Sequence, residues 1–156
     1  LLGGSTPFKR WHLPTLKSLL ESLKDSGKII LLGGKEFRPF GDSLAKEFPN
    51  VYNLSGKISL RESSTLLKSS SLFIGQDSGL THIAASLGVP TIGLYGATDP
   101  KRTAPLGKYV RLIFKPPACG PCWGKKKCQK PICIETISAE EIELEARRLL
   151  EEVNRL

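Results

Sequence analysis

The 156-residue sequence contains no apolar run of about 18 residues, the length a helix needs to cross a bilayer, so no transmembrane helix is expected within it. Its start, Leu1-Leu2-Gly3-Gly4-Ser5, lacks a basic region followed by an apolar stretch, so no secretory signal peptide is expected there. The order G-x-x-x-x-G-K-[ST] is absent, which removes a Walker A phosphate loop. Histidine occurs only as His12 and His82, and no Ser-His-Asp or Cys-His catalytic arrangement can be assigned from them. No internal repeat is visible, which sets aside solenoid architectures. Between Lys101 and Lys130 there is not one Asp or Glu.

That last absence locates the net charge of +8. Nine Lys or Arg lie between Lys101 and Lys130, while the remaining residues carry fourteen basic against fifteen acidic side chains. A patch of one sign favours an anionic partner: phosphorylated lipid, a membrane surface or nucleic acid. For Lys125-Lys126-Lys127 alone, a solvated loop kept for solubility is an equal reading. The length suits one domain, residues 1–156, with a real hydrophobic core. The first residue is not Met and the chain opens on what reads as the end of a strand, so the second half of a longer protein is expected.

The chain is organised around Leu72 to Gly96, LFIGQDSGLTHIAASLGVPTIGLYG. Leu72-Phe73-Ile74 reads as a buried strand that stops at Gly75, followed by the polar turn Gln76-Asp77-Ser78-Gly79. Leu80, Ile83, Ala84 and Leu87 then fall at helical spacing, Gly88 and Pro90 close the helix, and Thr91 to Tyr95 is a second strand. Strand, turn, helix and strand make a βαβ unit. The turn lies at the carboxyl end of a parallel strand, where open α/β sheets bind ligands.

The flanking segments repeat the theme. Trp11 to Asp25 is predicted to be an amphipathic helix burying Leu13, Leu16, Leu20 and Leu23 and ending at Gly27. Lys28 to Leu32 reads as a strand leading into Gly33-Gly34-Lys35-Glu36, Phe40 to Phe48 as a helix, and Val51 to Leu54 as a strand. Ser59-x-x-Glu62 is a capping box opening a helix that runs to about Ser69. Gly96 to Pro100 is a third polar loop at a strand end, and Tyr109 to Phe114 is a last strand in which Val110, Leu112 and Phe114 alternate. After a loop at 115–133 rich in Pro, Gly, Cys and Lys, Ser138-x-x-Glu141 caps a final helix, 138–154. Its buried stripe is Ile142, Ala146, Leu149, Leu150 and Val153. Strands alternating with helices predict an α/β fold with a doubly wound parallel sheet of Rossmann-like type.

Several groups could carry chemistry. Gly3, Gly4, Ser5 and Thr6 offer amides and hydroxyls to an anion, with Lys9 and Arg10 adding charge. Glu36 could accept hydrogen bonds from a ribose diol, or merely place negative charge at a helix start. At Asp77-Ser78-Gly79 a helix begins, and its first amides could hold a phosphate that Gly79 lets approach closely. Asp77 itself would repel a phosphate, so it suits sugar hydroxyls, or it caps the helix, as Ser78 also could. His82, on the first turn, is either a proton carrier or a packed His satisfied by a carbonyl. Cys119, Cys122, Cys128 and Cys133 could bind a structural zinc tetrahedrally, form two disulfides, or remain free thiols.

DSGLTHIAASLGVPTIGLYGATDP resembles the signature of ADP-heptose:lipopolysaccharide heptosyltransferases, which are inverting GT-B glycosyltransferases. KRW near the start, LSGKISL, CGPCW and ISAEE extend the likeness over almost the whole chain. It covers only the carboxy-terminal, nucleotide-sugar-binding half of such an enzyme. The resemblance therefore implies one of the two GT-B domains, with the general base and the acceptor pocket in an amino-terminal domain or a partner chain. It implies that Lys9 meets the donor diphosphate with Ser5 and Thr6 beside it, that Glu36 holds the ribose, and that Leu54 to Lys57 line the adenine pocket. It further implies that Asp77 binds heptose hydroxyls, Ser78 and Gly79 take the phosphates, and His82 steadies the loop. No cofactor is implied beyond the ADP-heptose donor, and many members work without a divalent metal. The expected acceptor is a lipid A-type anionic molecule at the inner membrane face, reached from the cytoplasm, and no nucleic acid is expected. Two other readings stay open: a UDP-sugar 2-epimerase of the same architecture, against which Leu80-Thr81-His82-Ile83 follows the turn, and a zinc-bearing nucleic-acid module, which lacks aromatic stacking beside its charge.

Overall fold

The computed structural model describes residues 1–3, 9–125 and 132–155. Among the described residues, five strands alternate with six helices: α1 (Leu13–Ser22), β1 (Ile29–Leu31), α2 (Arg38–Glu47), β2 (Val51–Asn53), α3 (Leu60–Lys68), β3 (Phe73–Gln76), α4 (Gly79–Ser86), β4 (Thr91–Tyr95), α5 (Pro100–Thr103), β5 (Val110–Phe114) and α6 (Ala139–Asn154). Every strand pairing is parallel. β1 pairs with β2, and β3, β4 and β5 form a second sheet in that order. Leu1 and Leu2 lie between the two sheets: Leu1 N donates to Ile74 O and Leu2 N to Leu32 O, both at 2.8 Å. The spatial order is thus β2, β1, the Leu1-Leu2 segment, β3, β4, β5, with helices on both faces, as a doubly wound arrangement requires.

Burial follows from that layering. β4 is central in its sheet and buried at all five positions. Its Ile92 and Leu94 face α6 together with Ile113, Ile142 and Leu149. On the other face, Phe73 of β3 packs with Leu67 of α3, Ala84 of α4 and Val89. The β1–β2 half has its own cluster, in which Leu16 and Leu20 of α1 meet Leu31, Phe37, Leu44 and Val51.

The differences from the sequence expectations lie at element ends, in the facing of β5, and at α5, which forms after the loop expected at Gly96 to Pro100. α1 buries Leu16, Leu19 and Leu20, whereas Leu13, at its first position, is 42% exposed because the core begins one turn later. β3 runs on through Gly75 and Gln76, since its pairing with β4 extends to Gln76 opposite Leu94. In β5 it is Ile113 that points into the core, while Leu112 and Phe114 are each 38% exposed. α6 covers the Ile113 face, while α4 on the opposite side packs mainly on β3 and β4. The capping box forms as expected: Ser59 Oγ accepts from Glu62 N at 3.2 Å and Ser59 N donates to the Glu62 carboxylate at 2.7 Å. Gly88, at φ +77°, ends α4.

Candidate functional site

A cleft of about 510 Å³ opens at the carboxyl ends of the strands. Leu1, Gly3 and Lys9 stand between its walls; Gly33, Gly34 and Glu36, which follow β1, line one side, and the start of α4 lines the other. The physical reason is the parallel topology. Every β-to-α connection leaves the sheet on the same edge, so loops far apart in sequence converge there.

On the α4 wall, Lys9 Nζ lies 2.8 Å from Asp77 Oδ2, and His82 Nε2 is 3.9 Å from Asp77 Oδ1. Asp77 is buried, with a side chain only 9% exposed, so Lys9 balances a carboxylate that would otherwise repel an anionic ligand. Ser78 occupies the helix N-cap with extended backbone but gives no side-chain bond to the helix amides, and its hydroxyl meets Thr81 Oγ1 at 3.1 Å instead. Ser78 O takes the amides of Thr81 and His82. Among the described residues, the amides of Gly79 and Leu80 are left without an acceptor at the mouth of the helix. A Cβ added at Gly79 would meet nothing within 4 Å, so the space in front of these amides is open. Thr81 Oγ1 donates to Gln76 O and ties the turn back to the strand.

Beneath this wall the buried Tyr95 donates its phenol proton to Thr103 O at 2.9 Å, which anchors α5 to the sheet. Burial, and secondarily the Asp77 charge, push the Tyr95 phenol well above its ordinary range, so it stays a donor. Among the described residues, the opposite wall carries one charged group at the cleft, Glu36, on the 3-10 turn Lys35–Phe37.

The structure therefore brings together Lys9, Glu36, Asp77, Ser78, Gly79 and His82. Leu54 and Lys57 are not at the cleft surface: their turn stands behind the Gly33 wall, and Lys57 Nζ pairs with Asp42 Oδ1 at 2.8 Å. Ser5 and Thr6 lie outside the described residues. Leu1 and Leu80 also line the cleft; neither carries a polar side chain that would mark it in the sequence. In the 115–133 excursion, Cys119 is exposed, Cys122 half-buried and Cys133 buried. Cys128 lies outside the described residues, and among the described residues no three His, Cys, Asp or Glu side chains are grouped to hold a metal. No described helix is long and apolar enough to cross a membrane.

Residues 1–133 match the model of Glycosyltransferase family 9 (heptosyltransferase). Lipooligosaccharide heptosyltransferase 2 of Haemophilus influenzae is 34% identical over 113 residues, which cover 69% of this chain and 33% of that protein. Lipopolysaccharide heptosyltransferase 2 of Escherichia coli is 29% identical over 156 residues, covering 96% of this chain and 43% of that protein. The solved ADP-heptose lipopolysaccharide heptosyltransferase II of E. coli superposes with a TM-score of 0.80 at 24% identity, over 98% of this chain and 46% of that one, and so bears on the fold. The chain thus spans between a third and a half of the length of these relatives. The 2-epimerase and nucleic-acid readings find no support in these matches. By the family match over residues 1–133, the chain belongs to glycosyltransferase family 9, the heptosyltransferases.

Proposed function

We propose that this chain is the donor-binding half of an inverting glycosyltransferase that moves heptose from ADP-heptose to the lipopolysaccharide inner core. The observation that carries the reading is the one cleft in which Lys9, Asp77 and the open amides of α4 face Glu36. In such a transfer an acceptor oxygen attacks the anomeric carbon, the bond to ADP breaks, and the acceptor proton passes to a general base. Negative charge grows on the departing diphosphate. Lys9 and the amides of Gly79 and Leu80 are placed to stabilise it, aided by the positive end of the α4 dipole. Asp77, with Lys9 beside it, takes sugar hydroxyls, His82 steadies Asp77, and Glu36 takes the ribose diol. A solved E. coli heptosyltransferase with a TM-score of 0.79 to this chain carries ADP, which favours the same donor class here.

The general base belongs to the acceptor-binding half, so the 156-residue chain binds the donor without transferring it. The acceptor is anionic, and the charge distribution fits it. Lys115 and Arg111 are paired with Glu141 and Glu152, whereas Lys101, Arg102, Lys108 and Lys125 have no acidic partner among the described residues. Arg102 stacks over Trp123 at 5.2 Å, and Trp123 N donates to Ala97 O in the loop after β4, on the ligand edge of the sheet. Arg102, with Lys101 beside it, supports a lipid A-type phosphate at the inner membrane face as the partner of this edge, whereas Lys108 precedes β5 and lies at the other end of the strands. Calorimetric titration with ADP, UDP and GDP tests the donor: ADP should bind most tightly, and a preference for UDP would return the epimerase reading. Turnover of ADP-heptose by the chain alone would overturn its incompleteness.

A further inference from the structure

We infer that Asn53, outside the cleft, is the positioning residue for its ribose-side wall and sets recognition of the ribose through Glu36. The inference rests on the donor reading above. Glu36 stands on a three-residue 3-10 turn whose N-cap, Gly34, makes no side-chain cap bond, so the turn does little to hold itself. It is held from outside at both ends. Before it, Gly33 O accepts from Gly56 N at 2.9 Å. After it, Arg38 O accepts from Asn53 Nδ2 at 3.0 Å.

Asn53 connects these two tethers. It is 6% exposed at the end of β2. Its Oδ1 accepts from Ser55 N at 3.0 Å, which shapes the turn that presents Gly56. Its Nδ2 donates both to Arg38 O and to Asp42 Oδ1, the latter at 2.9 Å. Asp42 in turn holds Lys57 at 2.8 Å, and the Lys57 ammonium, then the Asn53 amide, keep its carboxyl below the usual range. Gly56, at φ +61°, lies against the backbone of Lys35, where a Cβ would collide. Gly41 is likewise bare where Asn53 presses on α2. An amide is needed because one side chain must both accept and donate. Asp cannot donate, and Gln would carry its amide one methylene too far.

The test compares ADP, 2′-deoxy-ADP and inorganic pyrophosphate, by calorimetry, on the wild-type chain, on Asn53→Ala and on Asp42→Ala. Asp42 has a 43% exposed side chain, so its removal leaves the core intact and decides the matter if Asn53→Ala fails to fold. The wild type should favour ADP over 2′-deoxy-ADP by about tenfold, the worth of one hydrogen bond to a charged group. In the variants that ratio should fall toward one while pyrophosphate affinity stays within about twofold, since the α4 wall is untouched. A ratio kept at the wild-type value in a folded variant overturns the inference, as does an equal loss for all three probes, which a merely structural role would produce. A wild type that binds pyrophosphate without telling ADP from 2′-deoxy-ADP removes the ribose role of Glu36, and this inference with it. A wild type that binds neither nucleotide nor pyrophosphate defeats the donor reading itself, so the two failures separate.

Discussion

The two walls of the cleft come from two differently built halves of the sheet. The α4 wall rests on the three-stranded half, where β4 is buried along its whole length and packed from both sides. The Glu36 wall rests on two strands of three residues each, with Tyr52 on β2 48% exposed. On the first wall the backbone polar groups are left open: Gly79 and Leu80 amides face the cleft with no side chain capping them. On the second the carbonyls of Gly33 and Arg38 are taken up inside the protein, and the charged group that reaches the cleft is a carboxylate. A rigid half can leave amides unsatisfied because the strand and helix keep their directions without them. A thin half must use its hydrogen bonds to stay in place.

The comparison can be broken most severely from below. Ile92→Ala, at a wholly buried position of β4, should cost about 2–5 kcal/mol in chemical denaturation, whereas Ile29→Ala on the partly exposed β1 should cost clearly less. Equal losses would mean that the halves are not mechanically distinct. Next in size, Lys9→Ala removes the partner of buried Asp77 and should weaken both ADP and pyrophosphate by about 30-fold. Unchanged pyrophosphate binding would take Lys9 out of the diphosphate site. Glu36→Gln should weaken ADP by about tenfold and spare pyrophosphate, because it acts on the other wall only. Gly79→Ala gives the smallest effect: the added methyl meets no protein atom, so the melting temperature should hold, while ADP binding falls by about three- to fivefold. A drop in melting temperature with intact binding would assign the glycine to packing instead.

Much of the α4 wall was legible in the sequence. Strand, Asp-Ser-Gly turn, short helix, Gly88 and second strand lie within one continuous stretch, and local periodicity reports such units well. The helix bounds differ from the pattern by only one or two residues, since termini depend on caps rather than on periodicity. Glu36 was visible as a carboxylate after a Gly-rich strand end, but a charged residue near a helix start has two readings, and sequence alone did not separate them. The Leu54–Lys57 turn shows the opposite problem. It is expected to line the adenine pocket; it lies next to the Gly33 wall without lining the cleft itself, and the Lys57–Asp42 pair beside it is a contact that only folding supplies. Asn53 carried no signal, being one polar residue at the end of a three-residue strand.

What the sequence by itself determined is the order of strands and helices, the parallel connection it forces, and the concentration of positive charge between Lys101 and Lys130. These follow from spacing and composition along one chain. Only the tertiary structure decided that Lys9 meets Asp77 across 68 residues, that Leu1-Leu2 joins the two sheets, and that Asn53 holds the ground beneath Glu36. The physical reason is that these are contacts between polar groups whose nearest neighbours are set by how the loops converge at the sheet edge. Periodicity is a local property, and convergence is not.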